Sequence, residues 1–392
     1  MSDRSYLDWP FLNDDHRALA AEVDTWAEDH LVQLTQHEEE DLDGTCKAIV
    51  RALGKAGLLR HAVPQSAGGV NPKLDVRSLS VIRETLGRYH TLADFAFAMQ
   101  GLGSGPISLF GTEQQQQQYL RLISEGRSLA AFALSEPEAG SDVRAMTTTV
   151  KETDDHFVIN GVKTWISNAG LADFYTVFAR TGSNGGTKDI CCFIVEADNP
   201  GLEVTDRIEL MAPHPLGTLA FTDCKVPKEN LVGTLGGGLG IAMATLDVFR
   251  TTVAAAALGM ARRAMDETLA HVSRRKVFGG VLSDLQLVQG KISDMAVAID
   301  TSALMVYRSA WTKDCVADRV TREAAMAKLH ATESAQLVID AAVQLHGGIG
   351  VTKGNVVESL YRDVRALRIY EGASEVQQTI IAREALASLR KG

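Results

Sequence analysis

The stretch Tyr361–Gln378, YRDVRALRIYEGASEVQQ, places a carboxylate at the break between two helical runs. The first run ends near Tyr370, then Glu371 and Gly372 follow, and a second helical start comes at Ala373–Ser374. A glutamate between apolar neighbours at a helix break is a candidate general base, because burial raises the pKa of a carboxyl group toward the working pH. The same residues also fit a solvated glutamate beside a glycine that caps a helix. The rest of the chain decides between these two interpretations.

The composition is ordinary for a globular protein, with 45% apolar and 22% charged residues among 392. This length allows two or three domains with substantial cores. The formal net charge is −10 and no run is rich in lysine or arginine, so we expect neither nucleic acid nor an anionic membrane surface as a partner. No run of about 18 apolar residues occurs, so we expect no membrane span.

The cysteines and the N-terminal residues bear on location and metal binding. Five cysteines without CxxC or cysteine–histidine spacing argue against a disulfide framework and against a structural metal site. Cys191 and Cys192 lie in an apolar run, and we expect both to be small core residues. The first residues, MSDRSYLDWPFLNDD, lack the apolar segment of a secretory signal. We therefore expect a cytoplasmic protein with reduced thiols and no metal.

Residues 1–128 are predicted to form an N-terminal helical domain. Apolar residues recur at helical spacing within 11–31, 49–59 and 76–88. The segment Val63–Pro72 contains two prolines and two glycines, which predicts a turn-rich connection. The glutamine tract Gln114–Gln118 is predicted to be a solvated helix face.

Residues 129–235 are predicted to form a middle β domain, a small barrel or sandwich. Short apolar or β-branched runs that suit strands occur at 129–134, 157–159, 174–179, 190–195, 202–204 and 219–222. Turn-forming residues separate them at 160–161, 183–186 and 199–201. The first of these, Asn160–Gly161, is predicted to be a hairpin turn.

Residues 236–392 are predicted to form a C-terminal four-helix bundle. Long, alanine-rich helices are expected at 241–272, 285–312, 321–345 and 373–389. The glycine-rich segment Gly233–Gly240 before them is expected to be a flexible inter-domain loop. The predicted fold class is therefore α+β and multidomain, with a helical domain, a β domain and a helical bundle in that order.

Two stretches of the β domain carry groups that suit a flat, hydrogen-bonding ligand. Phe132–Asp142, FALSEPEAGSD, runs from a strand into a turn of small residues with available N–H groups and a hydroxyl. Asn160–Ala169, NGVKTWISNA, places Trp165 and Ser167 on one face of a strand, where they could stack on and hydrogen-bond an isoalloxazine ring. Taken alone, the first stretch also fits an ordinary loop, and the tryptophan also fits a core residue.

Two helix ends in the bundle supply further candidates. Arg274–Gly279, RRKVFG, places cations where helix C-termini favour them, and Arg275 also suits a pyrophosphate group. Gln344–Gly350, QLHGGIG, follows a helix and not a strand, which argues against a Rossmann phosphate loop. His346 has no second histidine at metal spacing, so we expect a structural or cofactor-contacting role, and we assign no chemistry to His214.

Together and in this order, the motifs resemble those of the acyl-CoA dehydrogenase family of flavoproteins over essentially the whole chain. The matching stretches are LSEPEAGSD at 134–142, GVKTWISNA at 161–169, RKVFG at 275–279, QLVQGKISDM at 286–295, QLHGGIG at 344–350 and YRDVRALRIYEGASEVQQ at 361–378. The resemblance implies a helical domain, a β domain and a four-helix bundle, with FAD bound between the last two. It also implies a homo-oligomer, either a dimer or a tetramer.

The resemblance implies roles for individual residues. Those implied to contact FAD are Phe132, Leu134, Ser135, Trp165, Ser167, Arg275, Phe278, Gln344, Gly348, Ser374 and Glu375. Those implied to bind the substrate are Ser141, Asp247, Arg250, Tyr370 and Gly372. Within the first group, the four residues from 275 to 348 would reach the FAD of a neighbouring subunit.

The implied reaction is α,β-dehydrogenation of an acyl-CoA, or of an acyl group on a carrier protein, to the trans-2-enoyl thioester. Glu371 is the implied base that removes the pro-R α-proton, flavin N5 accepts the β-hydride, and the electrons leave to an electron-transfer flavoprotein. The Glu371 amide and a flavin ribityl hydroxyl would hold the thioester carbonyl. A subset of the family carries its base directly before the residue matching Arg250, and Phe249 occupies that position here.

Two departures from the family pattern leave the acyl group open. Ala373 stands where many members carry threonine, and the loop Met211–Thr218, MAPHPLGT, differs from the usual form. A branched, cyclic or carrier-bound acyl thioester is therefore an alternative to an ordinary fatty acyl-CoA.

Two alternative functions stay open for this chain. One is an acyl-CoA oxidase or flavin monooxygenase that uses O2, and the other is a non-catalytic flavoprotein that serves as an assembly factor or binding module. Retention of Glu371 together with the flavin motifs favours the dehydrogenase over both.

Overall fold

The computed structural model describes residues 3–182 and 189–389. The turn predicted at 183–186 lies outside the described residues. Along the chain, a helical part precedes a mixed sheet, and a second helical part follows it. This order confirms the predicted α+β fold class.

The N-terminal part is helical. Its helices are α1 (Asp14–Leu34), α2 (Leu42–Lys55), α3 (Val76–Tyr89), α4 (Thr91–Phe110), α5 (Glu113–Gln115) and α6 (Arg121–Ser124), with a π-helical turn, Gln116–Leu120, between the last two. Asp41 caps α2, because its side chain accepts a hydrogen bond from the Gly44 amide. Within the glutamine tract, Gln114, Gln117 and Gln118 are exposed and Gln116 is half-buried. Gln115 is buried and donates to the carbonyls of Glu229 and Leu231.

The middle part forms a mixed sheet. Its strands are β1 (Ala130–Ala133), β2 (Thr149–Glu152), β3 (His156–Ser167), β4 (Phe174–Arg180), β5 (Ile190–Glu196), β6 (Leu202–Arg207), β7 (Leu216–Pro227) and β8 (Leu231–Val232). Within the described residues these eight form one sheet in the order β6-β7-β3-β2-β4-β5-β8, with β1 parallel to β4. β4 and β5 are buried along almost their whole length, as their continuous apolar sequences require. Cys191 and Cys192 are buried, as predicted.

The predicted hairpin turn at Asn160–Gly161 is wrong, because both residues lie inside β3. The register between β3 and β7 shifts between Ile159 and Gly161, which marks a β-bulge. Gly161 has φ = 147°, and a Cβ atom there would lie 2.6 Å from the Thr148 hydroxyl. The Asn160 side chain accepts a hydrogen bond from the Asp223 amide on β7. The asparagine and the glycine therefore bend a strand that stays paired on both sides.

The C-terminal part contains five helices among the described residues. They are α7 (Gly238–Val272), α8 (Gln286–Cys315), α9 (Thr321–His346), α10 (Val356–Leu367) and α11 (Ser374–Leu389), with a hairpin of β9 (Lys276–Val277) and β10 (Gly280–Val281) between α7 and α8. The four predicted long helices are present, and α10 is an additional shorter one.

The predicted loop Gly233–Gly240 is helical from Gly238 onward. A Cβ at Gly238 would lie 2.6 Å from the Cys191 backbone, so the glycine serves close packing and not flexibility.

One helix of the described chain, α7, is long and apolar enough to cross a membrane by length and composition alone. Its most apolar window is 89% buried inside the protein. Such burial is typical of the central helix of a folded core.

The chain is divided into two compact units. The first, called the helical unit, comprises the residues up to Leu31, Val76–Asp94 and those from Asp247 onward. The second, called the sheet unit, comprises Val32–Asp75 and Phe95–Leu246. The domain boundaries at 128/129 and 235/236 stay a prediction.

Within the helical unit, α3 packs closely against α7. A Cβ on Gly259 would lie 2.0 Å from the Glu84 carbonyl, and one on Gly87 would lie 3.0 Å from the Ala256 carbonyl. The Glu84 carboxylate accepts a hydrogen bond from Arg262 Nε at 2.6 Å in the same contact. Small residues at the crossing thus allow a helix from the N-terminal part to join the C-terminal helices.

Candidate active site

Glu371 lies in the turn between α10 and α11, at the predicted helix break. α10 ends at Leu367, and the Ser374 amide at the start of α11 donates to the Arg368 carbonyl, 3.1 Å away. Glu371 has φ = 53° and Gly372 has φ = 99°, so two consecutive residues are left-handed. Holding a residue other than glycine in this conformation costs about 1–3 kcal/mol, which surrounding contacts must offset.

Three buried side chains hold the two carbonyls of this turn, and we call them the carbonyl clamp. Arg250 Nε on α7 donates to the Glu371 carbonyl at 2.9 Å. Lys328 Nζ on α9 and Gln377 Nε2 on α11 donate to the Gly372 carbonyl, each at 2.9 Å. Because these donors come from three different helices, the position of the turn is set by the packing of the helical unit.

The carboxyl group of Glu371 is shielded and incompletely bonded. Its Oε2 atom is buried and has no hydrogen-bond partner among the described residues. Burial raises the pKa of Glu371 above its ordinary value, and the positive charges of Arg83, Arg250 and Lys328 oppose burial only in part. A carboxylate with a raised pKa and an unbonded oxygen is suited to accept a proton from a ligand.

Arg83 is fixed in place by a bidentate ion pair. Its Nε and Nη2 atoms lie 2.8 Å from the two carboxyl oxygens of Asp94, and its Nη1 donates to the Thr252 hydroxyl at 3.0 Å. Both charged side chains are buried. The charge of Asp94 offsets part of the effect of Arg83 on Glu371, and Arg250 and Lys328 of the carbonyl clamp add further positive charge beside the carboxyl group.

Asp247 is buried in α7 and bonds to protein groups. Arg319 Nε and Thr321 Oγ1 each donate to its Oδ2 at 2.8 Å. Arg250 Nη1 lies 3.9 Å from its Oδ1. Asp247 therefore places a negative charge beside the Arg250 guanidinium. Its predicted contact with the substrate stays a prediction.

The other predicted residues around Glu371 differ in exposure. Tyr370 and Glu375 are exposed, whereas Ser374 is buried. The Ser374 hydroxyl donates to Glu333, which also pairs with Arg368 at 2.7 Å. The predicted contacts of these residues with FAD and substrate stay predictions.

In the sheet unit, predicted flavin-facing residues lie on two adjacent segments. The Thr164 amide on β3 donates to the Ser135 carbonyl just beyond β1, 3.0 Å away. Leu134 is buried and Ser135 is half-buried. Trp165 is 58% exposed, with φ = 59°. An exposed aromatic side chain thus lies one residue from the hydrogen bond that joins the two segments.

The remaining predicted residues of the sheet unit surround this region in sequence. Phe132 is half-buried, and its ring contacts that of Phe178 with centroids 5.0 Å apart. Ser167 is half-buried and follows the buried Ile166, which is the alternation expected of a strand. Ser141 is exposed in the loop after β1.

A buried ion pair fastens the same two segments together. Lys163 Nζ on β3 donates to Glu136 Oε1 at 2.8 Å and to the Leu134 carbonyl at 2.9 Å. Glu136 also accepts hydrogen bonds from the amides of Thr147 and Thr148. Burial alone would raise the pKa of Glu136, but the Lys163 charge and these donors outweigh burial and lower the pKa to about 2. The pair thereby fixes the segment beyond β1 against β3.

The C-terminal ends of α7 and α9 come together in the helical unit. His271 and His346 stack with ring centroids 4.4 Å apart. The residues predicted to reach a neighbouring FAD flank this pair in sequence and are all exposed: Arg275, Phe278, Gln344 and Gly348. Phe278 is 96% exposed and has φ = 45°. A Cβ on Gly348 would meet nothing within 4 Å, so the backbone there is open to a ligand.

Left-handed backbone marks several predicted site residues. Among the described residues, those other than glycine with positive φ are Trp165, Asn168, Asp223, Phe278 and Glu371. Three of the five were predicted to contact cofactor or substrate. Strain of this kind persists where the surrounding structure holds it, and it clusters at functional sites.

Sequence reasoning missed several residues that complete these sites: Arg83, Glu136, Lys163, Lys328 and Gln377. The available signal was an isolated charge in a buried element. Lys328 is the one charged residue in the run AAMAKLHA, and Lys163 lies in the strand GVKTWI. A buried lysine needs a partner, but the sequence alone does not say which partner it has.

Three family models of acyl-CoA dehydrogenases match this chain, for the N-terminal domain at residues 13–127, the middle domain at 131–224 and the C-terminal domain at 236–386. The chain belongs to the acyl-CoA dehydrogenase family. It is an oxidoreductase acting on CH–CH bonds, and its cofactor is FAD.

Relatives match along almost the full length. The mitochondrial short-chain specific acyl-CoA dehydrogenase of Mus musculus is 37% identical over 383 residues, which cover 97% of this chain and 92% of the relative. The CarC subunit of the caffeyl-CoA reductase–Etf complex of Acetobacterium woodii is 36% identical over 360 residues, covering 91% and 94%.

Solved structures share the fold. Butyryl-CoA dehydrogenase of Megasphaera elsdenii aligns with a TM-score of 0.89 at 31% identity, covering 96% of this chain and 99% of that one. An acyl-CoA dehydrogenase of Bacillus anthracis complexed with FAD aligns at 0.90 with 29% identity, covering 100% and 73%. The prolyl acyl carrier protein oxidase AnaB aligns at 0.88 with 27% identity, covering 95% and 99%.

The residues present fit FAD. In the sheet unit, the exposed Trp165 side chain and the nearby Ser135 suit a flat ring with polar edges. In the helical unit, the exposed Arg275 and the open backbone at Gly348 suit the phosphates and the nucleotide end. FAD when bound supplies the acceptor for a hydride.

The buried pair of Glu136 and Lys163 yields a stability prediction. Glu136→Gln leaves the buried Lys163 ammonium without a counterion, so the free energy of unfolding should fall by about 3–5 kcal/mol. Thermal unfolding should show a lower melting temperature together with loss of bound flavin. In the wild type, the depressed pKa of Glu136 means that its contribution is complete above its ordinary value of 4.5 and is lost as the pH falls toward about 2. The double variant Glu136→Gln/Lys163→Met is the control, since removing both charges should restore most of the loss. A single variant as stable as the wild type would contradict the assigned role.

Gly372 yields a prediction about the geometry of the turn. In Gly372→Ala, the new Cβ would lie 2.3 Å from Gln377 Nε2 at a backbone φ of 99°. The clamp must then open, and a displaced base should lower kcat by about 100-fold while flavin content is retained. Gly240→Ala is the matched control, because a Cβ there meets nothing within 4 Å and φ is not positive. Equal kcat values for both variants would contradict the prediction.

Proposed function

We propose that this protein catalyses the α,β-dehydrogenation of an acyl thioester to the trans-2-enoyl thioester, with Glu371 as the general base. The observation that carries the proposal is the buried, unbonded Oε2 of Glu371 in a left-handed turn held by the carbonyl clamp. An α-proton of a thioester is weakly acidic, so the base needs a raised pKa and a fixed position. Burial of Glu371 supports the first requirement and the clamp supports the second.

Stabilisation of the developing charge is the second part of the proposal. Removal of the α-proton places negative charge on the thioester oxygen, which needs hydrogen-bond donors. Following the family resemblance, we assign one donor to the backbone amide of Glu371. Arg250 holds the carbonyl of the same residue, which restricts rotation of the peptide group that follows this amide.

No second base is assigned. The alternative position in the family corresponds to Phe249, whose side chain is buried and cannot accept a proton. Glu371 is therefore assigned both the base and, through its amide, the donor role. The residues assigned to the substrate stay those that the resemblance implies: Ser141, Asp247, Arg250, Tyr370 and Gly372.

The electron acceptor is proposed to be an electron-transfer flavoprotein. The proposal is supported by the relative from Acetobacterium woodii, a subunit of a caffeyl-CoA reductase–Etf complex. The acyl carrier is proposed to be coenzyme A, as in the relatives named as acyl-CoA dehydrogenases.

The second candidate function is oxidation of an acyl group on a carrier protein, with O2 as the oxidant. It is supported by the likeness to the prolyl acyl carrier protein oxidase AnaB.

We propose that the protein is a cytoplasmic homo-oligomer, a dimer or tetramer. Oligomerisation is supported by large apolar side chains exposed on the helical unit, among them Phe278, Leu287 and Leu337. All five cysteines are free, and four of them are buried, which fits a reducing compartment.

The reaction is tested by an anaerobic visible titration of purified protein with a panel of acyl-CoAs. The flavin band of the wild type should bleach with one class of acyl-CoA, which identifies the half-reaction and the substrate class together. Glu371→Gln should retain the flavin and bleach about 100- to 10,000-fold more slowly, because the amide cannot accept the proton.

The control for this test is Glu22→Gln, the same substitution on the exposed face of α1. Rapid bleaching by Glu371→Gln would contradict the assignment of the base. A flavin that responds only to carrier-bound acyl groups, with peroxide released in air, would favour the second candidate. A protein that cannot be reconstituted with FAD would contradict the whole proposal.

Oligomerisation is tested at Phe278. Removing a large apolar side chain from an interface that holds FAD should weaken both assembly and FAD affinity, the latter by about tenfold. Phe278→Ser should therefore have a smaller molar mass by light scattering, and it should lose FAD on dilution. The control is Val32→Ser, which removes another exposed apolar side chain, on α1, where Val32 is 83% exposed. This variant should keep both the wild-type mass and its FAD. An unchanged mass and FAD affinity for Phe278→Ser would contradict the proposed interface.

A further inference from the structure

Lys328 is a fully buried lysine whose positive charge has no part in the reaction as proposed. It lies on α9 among buried alanines, and its ammonium donates to a neutral group, the Gly372 carbonyl. Among the described residues it forms no ion pair with a carboxylate. Burying a charge without a direct counterion costs several kcal/mol. A buried lysine that destabilises the folded state in this way is a candidate for a functional role.

We propose that Lys328 is a positioning residue of the active site, which holds the Glu371–Gly372 turn and supplies the positive charge that keeps Glu371 ready to accept a proton. This inference rests on the proposed function of Glu371 as the base. It assigns Lys328 no contact with the substrate.

The charged groups that face Lys328 come from four elements. They are Glu371 in the turn, Arg250 on α7, Glu333 on its own helix α9 and Glu375 on α11. Glu333 is already bonded to Ser374 and Arg368, and Glu375 is exposed to water. Glu371 is therefore the buried carboxylate on which the Lys328 charge acts most strongly.

The neighbouring arginines do not replace this charge. Arg83 and Arg250 also lower the pKa of Glu371, but each arginine has a carboxylate companion. Arg83 forms a bidentate pair with Asp94, and Arg250 has Asp247 at 3.9 Å. Asp94 moreover acts on Glu371 in the direction that raises its pKa. Lys328 thus contributes the least compensated positive charge in the vicinity of the base.

Lys328 also differs from the arginines because it can lose its proton in the working range. Burial lowers the pKa of Lys328 to about 8, although Glu371 opposes this change. A guanidinium stays charged at any such pH. With Lys328 charged, the ionised form of Glu371 is favoured, so the pKa of the base stays lower than it would be beside a neutral side chain.

The two roles of Lys328 can be separated, because Gln377 donates to the same carbonyl without carrying a charge. Lys328→Gln removes the charge and keeps a donor. Gln377→Met keeps the charge and removes a donor. Lys328→Met removes both, and it should fold at least as well as the wild type, since an apolar side chain of similar length replaces a buried charge.

The experiment compares kcat/KM against pH for these variants as FAD-loaded, full-length proteins. Lys328→Gln and Lys328→Met should move the acidic limb of the profile upward by about 1–2 pH units, because the nearby positive charge is lost. At pH values below the shifted limb, kcat/KM of these two variants should be about tenfold or more lower than that of the wild type. Gln377→Met should lower kcat without moving the limb, and Lys328→Arg should restore the wild-type limb.

A second measurement does not depend on turnover. Isotope-edited infrared spectroscopy follows protonation of the Glu371 carboxyl group as a function of pH. The spectrum of Glu371→Gln is subtracted to isolate the signal of this group. The midpoint should rise in Lys328→Met by the same amount as the kinetic limb. Thermal unfolding should show Lys328→Met to be as stable as the wild type or more stable, so a folding defect cannot explain the change.

The outcomes distinguish this inference from the proposed function. An unmoved infrared midpoint in Lys328→Met, or an equal shift in Gln377→Met, would overturn the role of Lys328. If Glu371→Gln retained turnover, the base assignment would fail, and the infrared midpoint alone would still decide whether Lys328 controls Glu371. A marked loss of stability in Lys328→Met would show that the lysine is kept for folding, which also overturns the proposal.

Discussion

The hydrogen bonds from Arg250, Lys328 and Gln377 to the carbonyls of Glu371 and Gly372 hold the turn between α10 and α11 in a left-handed backbone conformation. Two successive left-handed residues expose peptide groups that no helix satisfies, so their carbonyls need donors from elsewhere. α7, α9 and α11 each supply one donor. The site therefore depends on the packing of these helices as well as on the glycine within the turn.

The electrostatics of the site follow from the same arrangement. Burial makes ionisation of Glu371 unfavourable, and positive charges limit that effect without abolishing it. Two arginines carry carboxylate companions, whereas Lys328 donates only to a carbonyl. An arrangement built for stability alone would fill this place with an apolar side chain. The proposed role of Lys328 would account for this cost, because active sites commonly give up stability for function.

Some differences between sequence-based prediction and structure have simple physical reasons. Asn160–Gly161 carries the strongest short hairpin signal, yet pairing on both sides of β3 turns it into a bulge. The glycines of Gly233–Gly240 suggest flexibility, yet Gly238 is small because the Cys191 backbone lies against it. Asparagine and glycine permit several backbone conformations, and tertiary contacts select one.

The sequence by itself determined the order of helical and sheet parts, the family and the identity of the carboxylate at the helix break. Periodicity and local motifs act over a few residues, and these features are local. Only the tertiary structure decided which groups surround Glu371: Arg83 is 288 positions away in the chain and Lys328 is 43 positions away. Spacing in sequence does not specify contacts between helices, since side chains meet there through packing. The clamp, the compensated arginines and the uncompensated lysine therefore became visible only in three dimensions.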